Sequence, residues 1–348
     1  MLLVIDRKET TVRYATGALR LERPDEPAKT IPLQMLEQVV VYGNPLVESA
    51  VWRALAEAGV PATLVDLRGK QHSAFLGAGL ATQLPTRRMQ HRCADDASKQ
   101  LAVARYIVQQ KLRGYALPLQ HLHTLYGVEE ERVQAFQMQV EQTLAKLPNA
   151  NSINSLSGLE GQIAAAWFAL LSTALGQWHF TGRNRQPPRD PVNALLSLGY
   201  TLMLSEVRHA LLQAGFDTAL GFLHQDYPGR ESLPLDVLEL FRGSVDALVL
   251  QWLHHTPLDN SSFYYREAEG CRLSKATRPA FYAAWASYRQ QCPRPFAPCE
   301  ATAEWGTASL REIINGQVAR LREVLKAVDT GGRHHEYFGD GDAAGDLG

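Results

Sequence analysis

The sequence is poor in cysteine and contains no cysteine pairs. Its four cysteines are scattered along 348 residues, at Cys93, Cys271, Cys292 and Cys299. Because none of them forms a CxxC pair, neither a zinc site nor a disulfide framework can be recognised. This usage is typical of proteins in a reducing compartment and predicts a cytoplasmic location.

An excess of charge of either sign is also missing. The chain has 35 lysines and arginines against 36 aspartates and glutamates, so its formal net charge is −1. This balance excludes a polycationic protein that coats nucleic acid, although local basic patches are still possible. Hydrophobic residues make up 45% of the chain and charged residues 20%, which predicts a globular protein with a sizeable core.

Long apolar runs are absent as well. The apolar residues 2–5 are followed at once by Asp6, Arg7 and Lys8, so this segment is too short for a signal peptide. Residues 161–182 contain no Asp, Glu, Lys or Arg, but their apolar part, 163–175, falls short of the roughly 20 residues of a membrane span. We predict a buried core helix there and no association with a membrane.

Several widespread catalytic motifs do not occur in the sequence. It has no GxxxxGKS/T phosphate loop, no HExxH, no GxSxG and no GxGxxG after a predicted strand. Nucleotide-hydrolysing, zinc-protease, serine-hydrolase and dinucleotide-binding functions therefore have no support in the sequence.

The chain does contain a change of pattern near Pro85. Before it, short segments rich in β-branched or aromatic residues predict strands at 1–6, 11–15, 18–22, 38–43, 62–67 and 73–77. One helix is predicted among them, over 46–58. After it, apolar residues recur at helical spacing over 98–113, 119–124, 131–146, 158–176, 191–214, 234–253, 275–290 and 308–328.

These patterns predict an α+β protein, in which a small β-rich N-terminal domain precedes a larger all-α catalytic domain. The predicted boundaries are 1–84 for the β-rich domain, 85–97 for a linker and 98–329 for the helical domain. The tail, residues 330–348, is rich in Gly and Asp and has few large apolar residues, so it is predicted to be disordered.

Glu160 is the first candidate for chemistry. If Ser157 caps its helix, Glu160 shares an apolar stripe with Ile163 and Trp167, where a carboxylate is costly unless a cation compensates it. The alternative is an acid in the first helical turn, half exposed and stabilised by the helix dipole.

His224, Asp236 and Glu239 are further candidates. The imidazole of His224, which lies between an apolar GFL and a Pro-Gly turn, can bind a divalent metal, or it can simply be a packed or surface histidine. Asp236 and Glu239 lie three residues apart on a helix that Ser232 can cap, and a divalent cation would relieve their repulsion. Alternatively, Arg242 pairs with Glu239 in a structural ion pair.

Basic residues cluster in two stretches that could grip a phosphate backbone. The clusters comprise Arg87, Arg88, Arg92, Lys99, Arg105, Lys111 and Arg113, and then Arg183, Arg185 and Arg189. We select Arg87, Arg88, Lys111, Arg183 and Arg185 as candidate DNA contacts. A run of charge is more often a solvated helix face, and the near-neutral total charge favours that alternative mildly.

Taken together and in order, these segments resemble the CRISPR adaptation integrase family, the metal-dependent nucleases that insert new spacers. The resemblance covers roughly residues 1–325. Its motifs are IPLQMLEQVVVYG, VPATLVDLRG, SLSGLEGQIAAAWF, RNRQPPRDPVNALLSLGYTLML, GFDTALGFLHQ and SLPLDVLELFRGSVD.

The resemblance implies a DNA endonuclease and integrase that uses Mg²⁺ or Mn²⁺. Its implied ligands are Glu160, His224 and Glu239, with Asp236 as a supporting or second ligand. The implied partners are double-stranded prespacer DNA and the CRISPR repeat, a second copy of the chain, and a small ferredoxin-like adaptation subunit. A catalytically silent DNA-binding scaffold of the same fold is the alternative.

Overall fold

The computed structural model describes residues 1–24, 26–58, 60–65, 74–76, 84–184, 187–225, 227–294 and 306–331. It divides the chain into two compact units, Met1–Gln83 and Leu84–Gly348. Strands dominate the first unit and helices the second, so the predicted α+β fold class is confirmed. Almost all of the predicted tail at 330–348 lies outside the described residues.

The first unit contains two four-stranded sheets, in the orders β1-β5-β7-β8 and β4-β3-β2-β6. Its strands are β1 (Leu2–Ile5), β2 (Thr11–Ala15), β3 (Ala18–Arg23), β4 (Glu26–Pro32), β5 (Gln38–Tyr42), β6 (Leu46–Val47), β7 (Ala62–Val65) and β8 (Ala74–Leu76), and its helix is α1 (Ser49–Glu57). β5 lies parallel to both neighbours and is buried throughout, which explains its continuous run of valines.

Sequence patterning predicts all of these strands except β4 and the short β6. β4 carries two prolines, and its side chains are almost all exposed, so it has no apolar alternation. Such a strand is formed by pairing with β3 and not by its own composition.

The second unit starts with a helix where the sequence predicted a linker over 85–97. This helix, α2 (Leu84–Asp95), buries Thr86, Gln90 and Cys93 along one side. The Gln90 side chain donates hydrogen bonds of 2.8 Å to the carbonyls of Asp217 and Leu220. A polar side chain therefore anchors α2. The helix was not predicted because the prediction relied on apolar periodicity.

The remaining helices follow the predicted segments closely. They are α3 (Ala97–Arg113), α4 (Ala116–Tyr126), α5 (Glu130–Lys146), α6 (Ile153–Ala174), α7 (Pro191–Gln213), α8 (Ser232–Glu239), α9 (Arg242–His255), α10 (Arg278–Gln290) and α11 (Leu310–Asp329). The predicted helix 234–253 is in fact α8 and α9. The unit is also not all-α, because β9 (Phe263–Arg266) pairs with β10 (Gly270–Leu273) and β11 (Cys292–Pro293) with β12 (Thr307–Ala308).

The start of α6 differs from the prediction in a way that matters for Glu160. Ser152, and not Ser157, caps the helix, and its side chain accepts a hydrogen bond from the Ser155 N–H. Glu160 therefore lies well inside α6, beyond the reach of the N-terminal dipole. The alternative of a first-turn acid stabilised by that dipole is wrong.

A close backbone crossing joins the end of α3 to the start of α9. A Cβ atom built on Gly243 would lie 2.0 Å from the carbonyl oxygen of Gly114, so no side chain fits there. This contact holds the last turn of α3, which carries Lys111, close to Arg242 at the start of α9.

Within the described part of the chain, we find no helix that is both long enough and apolar enough to cross a membrane. The apolar segment of α6 instead buries Ile163, Trp167, Leu170 and Leu171 within the helical unit.

His209 on α7 makes the stability of the helical unit depend on pH. Burial, together with the positive charges of Arg311 and Arg289, lowers the pKa of His209 from its ordinary 6.5 to about 4. Below pH 6.5 His209 binds a proton in the unfolded chain, whereas His209 in the folded protein stays neutral until about pH 4. Stability is therefore lost as the pH falls through this window, by up to about 3 kcal/mol.

We expect His209→Gln to remove this part of the acid sensitivity. The measurement is the free energy of unfolding by urea between pH 7 and pH 4, where wild type should lose more stability than the variant. His91→Gln serves as the control, because the His91 side chain is 52% exposed. Parallel pH profiles of wild type and His209→Gln would contradict the prediction.

Candidate metal centre

Lys111 lies between two acidic side chains that come from different helices. It belongs to the last turn of α3, and its side chain is 6% exposed. Its ammonium group donates hydrogen bonds to Glu160 Oε1 on α6 and, at 2.5 Å, to Glu239 Oε2 on α8. Three helices thus bring two carboxylates to one cation.

A second cation holds Glu239. The Arg242 guanidinium donates to Glu239 Oε1 at 2.7 Å, which is the ion pair that the sequence left open as an alternative. Burial alone would raise the pKa of Glu239, but the charges of Lys111 and Arg242 hold that pKa well below its ordinary range. Glu239 is therefore ionised at neutral pH.

A buried aromatic and acidic cluster supports Arg242. Its guanidinium stacks on the ring of Tyr200, 4.8 Å from the ring centroid. The Tyr200 hydroxyl donates to Asp246, which also accepts a 2.8 Å hydrogen bond from the Trp167 indole. Burial raises the pKa of Asp246. These contacts fix the guanidinium, and through it the Glu239 carboxylate, in one position.

Asp236 builds the second part of the site by binding the loop that carries His224. Its carboxylate accepts hydrogen bonds from the backbone N–H groups of Phe222 (2.6 Å), Leu223 (3.0 Å) and His224 (2.9 Å). It also contacts His224 Nδ1 at 2.7 Å. The loop can approach this closely because residue 221 is Gly, where a Cβ would lie 3.0 Å from Asp236 Oδ2.

Asp236 and Glu239 therefore have different roles, although they lie three residues apart on α8. A carboxylate has about four acceptor sites, and the four contacts of Asp236 occupy them, so Asp236 binds the loop that carries His224. The contact of Asp236 with Nδ1 orients the His224 ring and leaves Nε2 as the nitrogen that a metal could take. The His224 side chain is 32% exposed, so its neighbours cover the ring only in part.

The donor types in this region fit a divalent ion. Two carboxylates that converge on one cation and a histidine oriented by a third carboxylate are donors that Mg²⁺ or Mn²⁺ accepts. Within the residues that the structure describes, no three His, Cys, Asp or Glu side chains are grouped closely enough to hold a metal ion. The residues thus fit the ion by their chemistry, while Lys111 lies between the two carboxylates.

Two of the predicted DNA contacts have other partners in the structure. Lys111 does not lie on an exposed basic surface, because Glu160 and Glu239 enclose its ammonium group. Arg183 donates hydrogen bonds to Asn193 Oδ1 at 2.7 Å and to Ser197 Oγ at 3.1 Å. These contacts bind the loop that carries Arg183 to α7. Arg185 lies outside the described residues.

Arg87 and Arg88 lie on α2, where the described structure has an open cleft of about 370 Å³. The cleft is lined by Leu84, Arg87, Arg88, His91, Arg92 and Asp217. Arg88 is exposed, and Arg92 is held by a 2.5 Å ion pair with Asp329 at the end of α11. Three arginines of one helix therefore line this concave surface.

Sequence reasoning missed the supporting cluster around Asp246. A signal was available, because Asp246 interrupts the apolar residues of α9 and lies four residues after Arg242. An acid in such a run requires partners. Sequence patterns could not identify those partners, since Tyr200 and Trp167 come from other helices.

Several solved structures share the fold of this chain. A casposase bound to its integration product has a TM-score of 0.78 at 19% identity, covering 95% of this chain and 91% of that one. A Cas1 protein from Thermotoga maritima has a TM-score of 0.75 at 19% identity, covering 94% and 97%. A Cas6-RT-Cas1–Cas2 complex also matches, with a TM-score of 0.75 at 21% identity over 95% of this chain and 35% of that one.

Sequence comparison specifies the family. Residues 3–287 match the model of the CRISPR associated protein Cas1 family. A CRISPR-associated endonuclease Cas1 of Thermus thermophilus is 34% identical over 77% of this chain and 80% of its own length. Another from Thermodesulfovibrio yellowstonii is 30% identical over 82% and 91%. The chain belongs to the Cas1 family, which confirms the resemblance drawn from its motifs.

Proposed function

We propose that this protein is a divalent-metal-dependent DNA endonuclease and integrase that inserts short foreign DNA segments into a CRISPR array. The observation that supports it most is the convergence of Glu160 and Glu239 on a single cation. Two carboxylates held together in this way, one buried and one partly buried, form a site for positive charge. The names of the Cas1 relatives and the casposase fold agree with this chemistry.

In the proposed site, Glu160, Glu239 and His224 would hold the ion, and Asp236 keeps the His224 ring in orientation. When bound, Mg²⁺ or Mn²⁺ would neutralise charge on the scissile phosphate and orient the attacking hydroxyl. Arg242 and its aromatic support keep Glu239 ionised and in place. No Ser or Tyr nucleophile is required, since the reaction needs no covalent protein intermediate.

The same site accounts for two reactions. With the 3′-hydroxyl of an incoming DNA end as the nucleophile, the new phosphodiester bond forms as the old one breaks, which is integration. With water as the nucleophile, the site cuts DNA. The identity of the attacking hydroxyl therefore decides between integrase and endonuclease activity.

The proposed partners are double-stranded prespacer DNA, the CRISPR repeat, a second copy of the chain and a small ferredoxin-like adaptation subunit. Arg87 and Arg88 on the α2 cleft are the proposed phosphate contacts, and Arg185 remains a third candidate. The Cas6-RT-Cas1–Cas2 complex among the structural neighbours supports assembly with a second adaptation protein. The proposed location is the cytoplasm.

The test is strand transfer by purified protein on a branched DNA that mimics a half-integrated spacer. We expect transfer with Mg²⁺ or Mn²⁺ and none with EDTA, because phosphodiester exchange needs the bound cation. DNA binding without transfer under any metal would favour the alternative of a silent scaffold. Transfer that persists in EDTA would contradict the proposed metal dependence.

A further inference from the structure

Lys111 lies between the two carboxylates that the proposed metal site would use. Its Nζ lies between oxygens of Glu160 and Glu239, and all three side chains are largely buried, at 6%, 21% and 5% exposure. A lysine ammonium and a divalent ion compete for the same carboxylate oxygens, since both are cations that bind through them. Both cannot lie between the same pair of oxygens.

The charges of the site show why one cation must give way. Glu160 and Glu239 carry two negative charges, and Lys111 and Arg242 carry two positive charges, so these four groups are neutral together. A divalent ion added beside a fixed Lys111 would give these four groups a net charge of +2 in a partly buried site, which is unfavourable. Removal of the ammonium group relieves that repulsion.

The two cations differ in their freedom to move. Arg242 is held by its stacking on Tyr200, 4.8 Å from the ring centroid, and by the backbone crossing at Gly243. Lys111 has a flexible four-carbon stem, and its ammonium group is hydrogen-bonded to the two carboxylates. Lys111 is therefore the less constrained of the two cations.

We propose that Lys111 is a resident counter-ion, which holds the Glu160 and Glu239 carboxylates together in the metal-free protein and leaves them when a divalent ion binds. This inference rests on the proposed metal-dependent function. It makes Lys111 a positioning residue, which preforms the carboxylate pair and sets how tightly the metal is held.

The test compares Lys111→Met with a matched control on the same helix. Lys99→Met removes another ion-paired lysine of α3, whose partner is Asp329 at 3.2 Å. Isothermal titration of the metal-free proteins with Mn²⁺ measures the dissociation constant. We expect Lys111→Met to bind Mn²⁺ at least about tenfold more tightly than wild type, because the competing cation is gone, and Lys99→Met to match wild type.

Thermal unfolding gives a second readout on the same proteins. Without metal, Lys111→Met should melt at a lower temperature than wild type, since its two carboxylates then repel each other. Saturating Mn²⁺ should raise its melting temperature more than that of wild type. An unchanged or weaker affinity of Lys111→Met for Mn²⁺ would overturn the proposal.

A third measurement needs no variant at Lys111. Acetylation of wild-type lysines, followed by mass spectrometry, reports whether an amine is enclosed. We expect Mn²⁺ to increase labelling of Lys111 severalfold relative to Lys99, as the ammonium group leaves the carboxylates. Labelling that stays the same or falls on addition of Mn²⁺ would also overturn the proposal.

Mn²⁺ binding distinguishes failure of the proposal for Lys111 from failure of the proposed metal site. One outcome is that wild type binds Mn²⁺, that Glu160→Gln abolishes this binding and that Lys111→Met leaves the affinity unchanged. In that case the metal site stands, and the role of Lys111 is rejected. If neither wild type nor Lys111→Met binds Mn²⁺, both proposals are rejected together.

Discussion

Glu160→Gln should lower the rate of DNA strand transfer by at least about a thousandfold, equivalent to about 4 kcal/mol of transition-state stabilisation. The reason is that Glu160 is one of two carboxylates that converge on the proposed cation position. The amide keeps the shape of the side chain but removes the negative charge that would hold the metal. His224→Ala should have an effect of similar size, because it removes the nitrogen ligand.

The loss should come from chemistry and not from unfolding. Lys111 keeps its ion pair with Glu239 in the Glu160→Gln variant, so the helical unit retains its main contacts. The strand-transfer assay with Mg²⁺ should therefore be run beside thermal unfolding. Glu141→Gln, at an exposed position of α5, is the control and should match wild type in both measurements. Glu160→Gln activity within tenfold of wild type would rule out Glu160 as an essential ligand.

Asp236→Ala should destabilise the protein by about 4 kcal/mol, the second of the two largest effects. Asp236 is fully buried and accepts three backbone N–H groups in addition to its contact with His224. Alanine would leave these donors without an acceptor. Urea unfolding measures the loss, and Asp95→Ala, at an exposed position of α2, is the control.

Asp236→Asn should distinguish the effect of Asp236 on the orientation of His224 from its effect on the stability of the loop. The amide retains one acceptor oxygen, but its NH₂ group must face backbone donors or His224, since both carboxylate oxygens are used. We expect a smaller loss of stability and a Mn²⁺ affinity that falls about 10- to 100-fold, as for other residues that orient metal-bound histidines. An Asp236→Asn protein with wild-type stability and affinity would contradict the role given to Asp236.

The second half of the fold could be predicted well because its helices carry strong local signals. The side chain of Asp190, for example, caps α7, and the helix begins at Pro191. β4 and α2 lacked such signals, since one is exposed and the other is anchored by the polar Gln90. In both, the element depends on contacts with distant parts of the chain.

In the candidate site, too, spacing along one helix could be predicted and contacts between helices could not. Spacing on α8 predicts that Asp236 and Glu239 share one helix face, but it does not predict that they bind different partners. The density of basic residues over 87–113 predicts a positively charged surface, yet Lys111 is enclosed by acids from two other helices. A sequence pattern records charge along one element, whereas the ion pairs of Lys111 join three helices.

The sequence by itself determined the class of fold, most of the helices and the residues Glu160, His224 and Glu239 as candidates, because local propensity, periodicity and motif order are properties of neighbouring residues. The tertiary structure alone decided that Asp236 supports His224 and that Lys111 joins the two glutamates. Burial and charge pairing arise when helices far apart in the sequence pack together, and they set the roles of these side chains.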